Sequence, residues 1–443
     1  MGILAVRRWS SLPSAERERL LARSTAAVFE PSLVAAIDAI FQDVATRGDA
    51  AVLDATARFD GVTFASAADL RVPEAELAAA HAGLEPGLLA GIREAIGNSR
   101  LFNEAQAAET GRAWSREVRP GFLLGEQFSA IPSAGLFVPC GKASYPSVLC
   151  QIGTPAVVAG VERIVVIVPP TPGGGGSVDP ATLAVAHELG IREVFRANGP
   201  AGIAALTFGT ATIPRVRKIV GPGSPPVTAA QVLAQRYGVA TQMLCGPSES
   251  LIIADETADP WRLAIDLLNE AEHGSDSAAS LITTSEKLVA AVETTLADQL
   301  PRLPEIRAAA ARAVLSDLGG AILVSSMSEA LDVANAYGAE HVQLATADPE
   351  STLGLLHYAG EALLGQNTPI GASSYTIGIP ATLPTGGYAQ LNGGVTARTF
   401  MTSTSTARLS PEALAELAEP TLALADHEGF PAHAAAFRLR GLG

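Results

Sequence analysis

The sequence predicts an α/β protein whose sheets are parallel. Short apolar runs rich in β-branched residues alternate with segments whose apolar residues recur at helical spacing, and this alternation favours parallel strands connected by helices. Hydrophobic residues form 48% of the 443-residue chain and charged residues only 17%, so a large core can be buried. At about 150 residues per domain, a chain of this length is expected to form roughly three units.

The elements can be assigned in chain order. Residues 34–58 show a helical periodicity that breaks at Gly48 and Asp49. The run RIVVIVPP (163–170) predicts a buried strand, because it is continuously apolar and ends in two prolines. A glycine-rich loop, a helix over 181–190 and a short strand over 192–197 are expected next. The same rhythm predicts strands in RKIVGPG (217–223), SLIIADE (250–256), AASLITTS (278–285) and GAILVSS (320–326), and an Ala-rich helical region after about residue 395.

Charge and cysteine usage exclude several classes of protein. The formal net charge of −15 argues against nucleic acid or an anionic membrane as the main partner. No apolar run reaches the roughly 18 residues needed to span a bilayer, and the N-terminal stretch lacks the apolar core of a secretion signal. Cys140, Cys150 and Cys245 show no framework spacing, so we expect small buried side chains in a reducing compartment. The sequence therefore predicts a cytoplasmic protein.

Two glycine-rich motifs resemble phosphate-binding loops only weakly. GGGG at 173–176 lacks the Lys-Ser/Thr of a P-loop and the spacing of a dinucleotide fingerprint, so a surface loop is the better interpretation. GPG at 221–223 follows a predicted strand and can let a ligand approach the backbone closely, although the motif alone is a weak signal.

A glutamate and a histidine share one face of a predicted helix. Asp259 is typical of an N-cap before a proline, the apolar residues after it recur at helical spacing, and Gly274 is a plausible stop. Glu270 and His273 stand three residues apart and can therefore bind one cation together. On spacing alone, a solvated pair at a helix end is the commoner arrangement, because histidine there also suits the helix dipole.

A second acid–imidazole pair, Glu340 and His341, is adjacent in GAEHVQLAT. The two groups can do general acid–base work near neutral pH. On a regular strand their side chains would face opposite sides, so they can serve one site only at a strand end or a bend. A solvated loop pair is the alternative that spacing alone favours.

A third polar cluster lies near the C-terminus in DHEGFPAHAAAF. The remaining histidines of the chain lie within helical patterns and are expected to be structural. The cluster contains Asp426, His427, Glu428 and His433, and the remaining histidines are His81, His187 and His357.

Nine stretches along the sequence carry a family resemblance. They are, in chain order, RGDAAVLDATARFDGV, GLFVPCGKASYPSVLCQIGTPAVVAGVERIVVIVPP, GIAALTFGT, KIVGPG, GPSESLIIADETADP, EAEHGSDS, AEHVQL, LPTGGYA and HEGFPAH. Through them the chain resembles the histidinol dehydrogenase family over nearly its whole length. The order of the matching stretches makes the resemblance specific for the family and less specific for the substrate.

The resemblance implies two incomplete Rossmann-like domains with parallel-type sheets and smaller helical pieces at both ends. We expect an N-terminal helical segment at 1–33 and a larger α/β domain from 34–136 together with 250–395. A second Rossmann-like domain on the NAD side is expected over 137–249. A C-terminal helical tail over 396–443 is expected to complete the active site of the partner in a homodimer.

The resemblance also implies a reaction and a set of site residues. Family members oxidise L-histidinol through the aldehyde to L-histidine, with two NAD molecules in turn and one zinc ion. His273 and His433 match zinc ligands, and Glu340 and His341 match the catalytic pair. Glu270 stands where the family has a glutamine ligand. The substrate-contacting positions are matched by Ser248 and Glu428.

Several positions depart from the family pattern. Ser374 stands in place of an aspartate ligand, where we expect it to contact the substrate, and Ala381 stands in place of a substrate-contacting histidine. Among the family positions that contact NAD, a tyrosine, a glutamine and an asparagine are replaced. The glycines of the GPG motif are expected beside the cofactor. The three replacements are Phe137, Ala201 and Ser224, and the glycines are Gly221 and Gly223.

These changes suggest a retained metal and an altered substrate. Exchange of Gln for Glu and of Asp for Ser preserves the formal ligand charge, and Glu270, His273 and His433 would form a His2Glu zinc set with an open fourth position. We therefore predict zinc-assisted, NAD-dependent oxidation of a small polar primary alcohol, either L-histidinol or a related alcohol. The alternative is a non-catalytic relative that binds a ligand or regulates a partner, which the replacements at positions 201, 374 and 381 favour.

Overall fold

The structure is a computed structural model that describes residues 2–21, 26–141, 143–242 and 246–441. It confirms an α/β fold with parallel sheets. The strands within the described residues are β1 (Val6–Arg8), β2 (Trp114–Arg119), β3 (Phe122–Ala130), β4 (Ser133–Phe137), β5 (Arg163–Val168), β6 (Glu193–Arg196), β7 (Lys218–Val220), β8 (Ala240–Thr241), β9 (Glu249–Ala254), β10 (Ala278–Thr283), β11 (Gly320–Leu323), β12 (His341–Ala345), β13 (Glu361–Leu364) and β14 (Met401–Leu409). The α-helices are α1 (Ser14–Leu21), α2 (Pro31–Arg47), α3 (Asp49–Asp60), α4 (Glu74–Gly83), α5 (Pro86–Thr110), α6 (Pro146–Val158), α7 (Pro180–Glu188), α8 (Gly199–Phe208), α9 (Pro225–Gln235), α10 (Pro260–Ala271), α11 (Glu286–Gln299), α12 (Glu305–Ser316), α13 (Met327–Tyr337), α14 (Pro349–Leu353), α15 (Ile370–Tyr375), α16 (Pro411–Glu416), α17 (Ala418–His427) and α18 (Pro431–Arg438).

Five parallel strands form one α/β unit in the order β6-β5-β4-β7-β8. The strands predicted over 163–170, 192–197 and 217–223 are present as β5, β6 and β7. The chain runs outward from β4 through β5 to β6 and then returns to the other side of β4 at β7. The carboxyl ends of β4 and β7 therefore form the topological switch point, where open α/β sheets usually bind ligands.

Helices from the first third of the chain cover both faces of this sheet. Val165 and Ile167 of β5 pack with α2, α3, α8 and α9, whereas Val166 and Val168 pack with α4 to α7, as expected for a strand buried on both faces. Residues 34–136 were expected to pack with 250–395, but α2 to α5 pack here instead. Helical periodicity shows that a helix has an apolar face and does not show which sheet covers that face.

Six parallel strands form the second unit in the order β1-β11-β10-β9-β12-β13. The predicted strands over 250–256, 278–285 and 320–326 are β9, β10 and β11. The N-terminal segment is not only helical, because β1 occupies the edge of this sheet, where Val6 pairs with Ala321. A three-residue strand is too short to show a period of two in the sequence.

An antiparallel sheet of three strands, in the order β14-β3-β2, carries the C-terminal tail. The helical region expected after residue 395 begins only at α16, because MTSTSTARL forms β14, in which threonines alternate as strands favour. All six residues of β2 and seven of the nine in β14 are exposed, so both faces of these strands are open. Helices α16 to α18 follow β14.

Cys150 is buried and Cys140 is half-buried, and both are free thiols. Cys245 lies outside the described residues. His81 and His187 lie in α4 and α7 with ring centroids 4.6 Å apart, whereas His357 lies in a loop after α14. Within the described ranges, no helix is both long enough and apolar enough to cross a membrane.

Candidate active site

Three strands of the six-stranded sheet begin side by side and bring acidic residues together at the amino-terminal edge. β9 begins at Glu249, β12 at His341 and β13 at Glu361, and His341 pairs with Ser250 on one side and Glu361 on the other. Glu340 lies in the bend just before β12, so it is not restricted to the opposite face of the sheet. This meets the condition that the sequence set for the pair to serve one site.

The side chains at this edge are buried and connected by hydrogen bonds. His341 Nδ1 lies 2.5 Å from Glu361 Oε1, and His341 Nε2 lies 3.8 Å from Glu340 Oε1. The backbone N–H of Glu249 donates to Glu340 Oε2 at 3.1 Å, and Ser373 Oγ donates to Glu361 Oε2 at 2.5 Å. Exposed fractions are 8% for Glu340, 5% for His341 and 7% for Glu361, so this half of the site is formed within one chain.

Burial and close charges shift both members of the acid–imidazole pair. Burial raises the pKa of Glu340 to about 8, against the opposing effect of His341, and the charge of Glu270 raises it further. Burial lowers the pKa of His341, but Glu340, Glu361 and Glu270 together raise it more, to about 10. Without a bound cation, therefore, the ring holds a proton at neutral pH because it lies among carboxylates.

Helix α10 places Glu270 against this cluster. Asp259 caps the helix by accepting a hydrogen bond from Trp261 N at 2.9 Å, as the sequence predicts, and the helix ends at Ala271, three residues before the expected stop at Gly274. Glu270 is only 1% exposed, and its Oε1 atom has no hydrogen-bond partner. A buried carboxylate oxygen without a partner is costly, which suits an atom that binds a cation.

His273 lies just past the end of α10 and is 47% exposed. Its Nδ1 lies 3.0 Å from the carbonyl oxygen of Asn269 and 3.2 Å from that of Glu270, and 3.6 Å from Glu270 Oε1. A carbonyl oxygen only accepts, so Nδ1 carries the proton and Nε2 keeps a free lone pair. Backbone support of one ring nitrogen is the usual arrangement for a histidine that binds metal through the other.

The candidate metal ligands do not all come together within the described part of the chain. Among residues 2–21, 26–141, 143–242 and 246–441, no group of three or more His, Cys, Asp or Glu side chains could hold a metal ion. Glu270 and His273 form the adjacent donors, while His433 lies exposed on α18 and Glu428 is exposed at the end of α17. The donor chemistry of Glu270 and His273 fits two ligands of a zinc ion, and further ligands would have to come from elsewhere.

The loop that follows β13 brings Ser373, rather than Ser374, to the buried acids. The hydroxyl of Ser374 turns back onto its own helix and donates to the carbonyl of Ile370 at 3.2 Å. The Ser374 carbonyl accepts from Gln151 Nε2 at 2.7 Å, so α15 is tied to α6 of the other unit. The role of Ser374 in substrate contact therefore remains a prediction.

The two other substrate positions in this chain are half-buried. Ser248 precedes β9, directly before Glu249, and its carbonyl accepts from Ala278 N at 3.0 Å. Ala381 lies in the loop after α15.

The residues expected at NAD lie at the switch point of the five-stranded sheet. Gly221 has a φ of 139°, and an added Cβ would lie 2.1 Å from the carbonyl oxygen of Phe137, while a Cβ on Gly223 would lie 2.4 Å from Val227. Ser224 is exposed at the start of α9. These glycines are required by packing within the chain, and their contact with NAD remains a prediction.

Two residues of the NAD prediction are covered by other parts of the chain. Phe137 is 2% exposed, and Ala201 is fully buried near the start of α8. Their side chains therefore lie behind the surface of the switch point in this conformation.

Sequence reasoning did not find Glu361, Ser373 or Glu249. Glu361 is the single charge in the run AGEALLG, which is a weak sign that a buried strand begins with a functional residue. Its pairing with His341 depends on the register of a parallel sheet and has no local signal.

Comparisons with known proteins concern nearly the whole chain. A family model described as histidinol dehydrogenase matches residues 23–441. The histidinol dehydrogenase of Synechocystis sp. is 40% identical over 401 residues, which cover 90% of this chain and 91% of that protein. A histidinol dehydrogenase homolog of Colwellia psychrerythraea is 38% identical over 431 residues, 97% of this chain and 95% of that protein. The crystal structure of histidinol dehydrogenase from Elizabethkingia anophelis matches with a TM-score of 0.92 at 31% identity, over 99% of this chain and 98% of that one.

Proposed function

The chain belongs to the histidinol dehydrogenase family of NAD-dependent oxidoreductases, and from this premise we propose that it oxidises a small polar primary alcohol through the aldehyde to the carboxylate, with zinc at the site. The alcohol is L-histidinol or a related compound. The observation that carries this proposal is the buried Glu340–His341 pair. An acid and an imidazole can move protons in a buried site, and here they lie near Glu270, whose Oε1 atom has no hydrogen-bond partner.

His341 accepts the proton of the alcohol in this proposal. Because Nδ1 is bonded to Glu361, Nε2 is the ring nitrogen left to act as a base. Loss of the hydroxyl proton to Nε2 and of a hydride from the adjacent carbon converts the alcohol to the aldehyde, a two-electron oxidation.

Glu340 serves the second oxidation. It takes a proton from the water molecule that adds to the aldehyde. The resulting hydrate anion loses a second hydride to give the carboxylic acid, which then ionises to the carboxylate. A carboxyl group whose pKa is raised to about 8 can exchange protons near neutral pH, which suits this role.

Glu270 and His273 of one chain and His433 of a second copy would hold the zinc ion in a His2Glu set. The buried Oε1 atom of Glu270 and the backbone-supported ring of His273 favour this assignment. Bound zinc would polarise the alcohol oxygen and lower the pKa of His341 by its charge, and bound NAD would accept the hydride.

We place NAD at the switch point between β4 and β7, beside Gly221, Gly223 and Ser224. Helix α9 begins at this point, and the partial positive charge of a helix N-terminus suits a pyrophosphate. Phe137 supports the cofactor loop from behind, since its carbonyl lies against Gly221.

The proposal includes a homodimer with shared active sites, which the exposure of the tail supports. Leu424, Phe430 and Leu439 are 62%, 52% and 87% exposed, although large apolar side chains usually find cover. The antiparallel sheet that carries the tail is also open on both faces. Docking of this tail on a second copy would bury these side chains and bring His433 and Glu428 to the partner's site.

The substrate need not be histidinol itself. Ala381 cannot hydrogen-bond an imidazole nitrogen, and an unpaired buried polar group costs about 1–3 kcal/mol. Relatives named histidinol dehydrogenase and histidinol dehydrogenase homolog match at nearly equal identity, 40% and 38%, so identity does not choose between substrates. The loss of this contact favours a related polar alcohol.

The proposal also includes a cytoplasmic location and small-molecule chemistry without a nucleic-acid or membrane partner. The free thiols of Cys140 and Cys150 suit a reducing compartment, and the net charge of −15 disfavours anionic polymers and surfaces.

The deciding experiment counts NADH per alcohol consumed by zinc-loaded protein in excess NAD. Two NADH per L-histidinol, with L-histidine as product, would support the family reaction despite Ala381. Two NADH per molecule of another polar alcohol, with no turnover of histidinol, would support the altered substrate. Folded, zinc-loaded protein that forms no NADH from any member of a panel of polar primary alcohols would refute the proposal and favour the non-catalytic alternative.

A further inference from the structure

The carboxylate of Glu361 joins His341 to Ser373 inside the acidic cluster. Glu361 and His341 are direct partners in a parallel pair of strands, so their side chains leave the sheet on the same face. One oxygen of Glu361 lies 2.5 Å from His341 Nδ1, and the other accepts from Ser373 Oγ at 2.5 Å. With exposed fractions of 7%, 5% and 1%, the three groups form a hydrogen-bonded chain that is largely shielded from bulk water.

This chain of hydrogen bonds decides what the imidazole can do. A carboxylate is only an acceptor, so Nδ1 carries the hydrogen and the basic lone pair lies on Nε2. When Nε2 takes up a proton, the negative charge of Glu361 stabilises the imidazolium, as the aspartate does in a Ser-His-Asp triad. Ser373 in turn limits rotation of the carboxylate, because it occupies the second oxygen.

Other acidic groups face the ring but hold it less directly. Glu340 adjoins His341 in the chain and approaches Nε2 to 3.8 Å, which exceeds a hydrogen bond. Glu270 acts on the ring from α10 through its charge, and Glu249 of β9 lies against Glu340. Among the described contacts, Glu361 is the carboxylate hydrogen-bonded to the imidazole.

We propose that Glu361 is a positioning residue that directs Nε2 of His341 at the substrate alcohol and stabilises its protonated form, with Ser373 holding the carboxylate in place. The inference rests on the proposed function, in which Nε2 takes the alcohol proton. It adds to the Glu340–His341 pair a third group that approaches from a separate strand.

Two substitutions separate the effect of the charge of Glu361 from the effect of its side-chain length. Glu361→Gln keeps the shape and removes the charge, whereas Glu361→Asp keeps the charge and shortens the side chain. Glu193→Gln is the matched control, because Glu193 also begins a parallel strand, β6, but pairs with Arg163 at 3.3 Å in the other sheet. Ser373→Ala tests the outer hydrogen bond.

The first readout is the proton NMR signal of the His341 Nδ1–H in metal-free protein, identified by its absence in His341→Asn. A strong hydrogen bond to a carboxylate places this signal far downfield. We expect it to move upfield in Glu361→Gln and to stay unchanged in Glu193→Gln. This readout needs no turnover, so it tests the Glu361 contact even if the protein oxidises no alcohol.

The second readout is the pH profile of kcat/KM with the alcohol that the enzyme oxidises. Glu361→Gln should lower kcat about 10–100-fold with little change in KM, and should move the acidic limb down by about one pH unit, because the base loses a neighbouring negative charge. In Glu361→Asp, the acidic limb of the pH profile should lie closer to that of the wild-type enzyme than it does in Glu361→Gln. Ser373→Ala should lower kcat less than Glu361→Gln.

The assignment of Glu361 would be overturned if the NMR signal of Glu361→Gln kept the wild-type chemical shift. It would also be overturned if that variant kept the wild-type kcat and the wild-type acidic limb of its pH profile. Absence of turnover in the wild-type protein would instead overturn the proposed function, with the NMR signal still deciding whether Glu361 holds the ring. A loss of kcat without a shift of the limb in both Glu361 variants would reduce Glu361 to a purely structural group and would also overturn the proposal.

Discussion

The candidate site has a buried half and an exposed half. The two halves differ in how far contacts within one chain fix the positions of the side chains. Glu270, Glu340 and His341 are 1%, 8% and 5% exposed. His273 is 47% exposed, and Glu428 and His433 are exposed on the tail. The buried half is formed at the amino-terminal edge of a parallel sheet, while the exposed half lies at a helix end and on an open C-terminal tail.

The difference indicates that the acid–base groups come together within one chain, whereas the proposed metal ligands do not. In the buried half, strand register and hydrogen bonds set the geometry before any ligand arrives, and the shifted pKa values of Glu340 and His341 follow from burial and close charges. In the exposed half, nothing within the described part of the chain brings a third donor to Glu270 and His273. In the proposed homodimer, a second copy would supply His433 as such a donor.

The largest expected effect on activity comes from a substitution in the buried half. His341→Asn removes the base while a residue of similar size remains, so kcat should fall by about 10²–10⁴-fold. Zinc content should stay unchanged, because His341 is not in the proposed ligand set. The measurement is steady-state NADH formation together with metal analysis of the same sample, and unaltered turnover would remove His341 from the mechanism.

The next effect tests whether His433, on the exposed tail, acts in the partner's site. His433→Ala should lose activity and zinc by itself. When it is mixed with His341→Asn and subunits exchange, half of the dimers are mixed, and each contains one intact site. About a quarter of wild-type activity should therefore return.

The control for subunit exchange mixes two variants of the buried half, His341→Asn and Glu340→Gln. Both changes then lie in the half that each chain provides for itself, so no intact site forms and no activity should return. Equal recovery in the two mixtures, or none in either while exchange is shown by labelled subunits, would contradict a site shared in this way.

The smallest effects separate the two donors of α10. Glu270→Gln removes the charge of a buried carboxylate whose Oε1 atom has no hydrogen-bond partner, so the metal-free protein should gain about 1–2 kcal/mol of stability, while zinc binding weakens. His273→Gln should weaken zinc binding in the same way, but should change metal-free stability by less than about 0.5 kcal/mol, because the side chain is largely exposed.

Urea unfolding of metal-free protein and competition titration with a zinc chelator measure these two quantities. Opposite signs for stability and zinc affinity in Glu270→Gln, with no stability change in His273→Gln, would support the buried–exposed contrast. Destabilisation of the metal-free protein by Glu270→Gln would show that the carboxylate has a structural partner and would contradict a metal-binding role.

Local pattern predicted much of the fold and several of the site residues. The β-branched runs at β5 to β7 and β9 to β11 were assigned from the sequence, as was the N-cap of α10 at Asp259. Strand β14 was missed, because the Ala-rich composition of the C-terminal region predicted helices and the Ser/Thr-rich strand within it was not assigned. The packing of α2 to α5 on the five-stranded sheet was also missed, because an amphipathic helix carries no mark of its partner.

The sequence by itself determined the alternation of strands and helices, the N-cap of α10, and the resemblance that named Glu340, His341 and the other candidate groups. These follow from periods of two and 3.6 residues and from motifs within a few positions of one another. Only the tertiary structure decided that Glu361 meets His341, that Ser373 rather than Ser374 turns to the acids, and that His433 lies in the open. The physical reason is that parallel pairing and burial join residues far apart in the chain, and these contacts leave no periodic trace in the segments that make them.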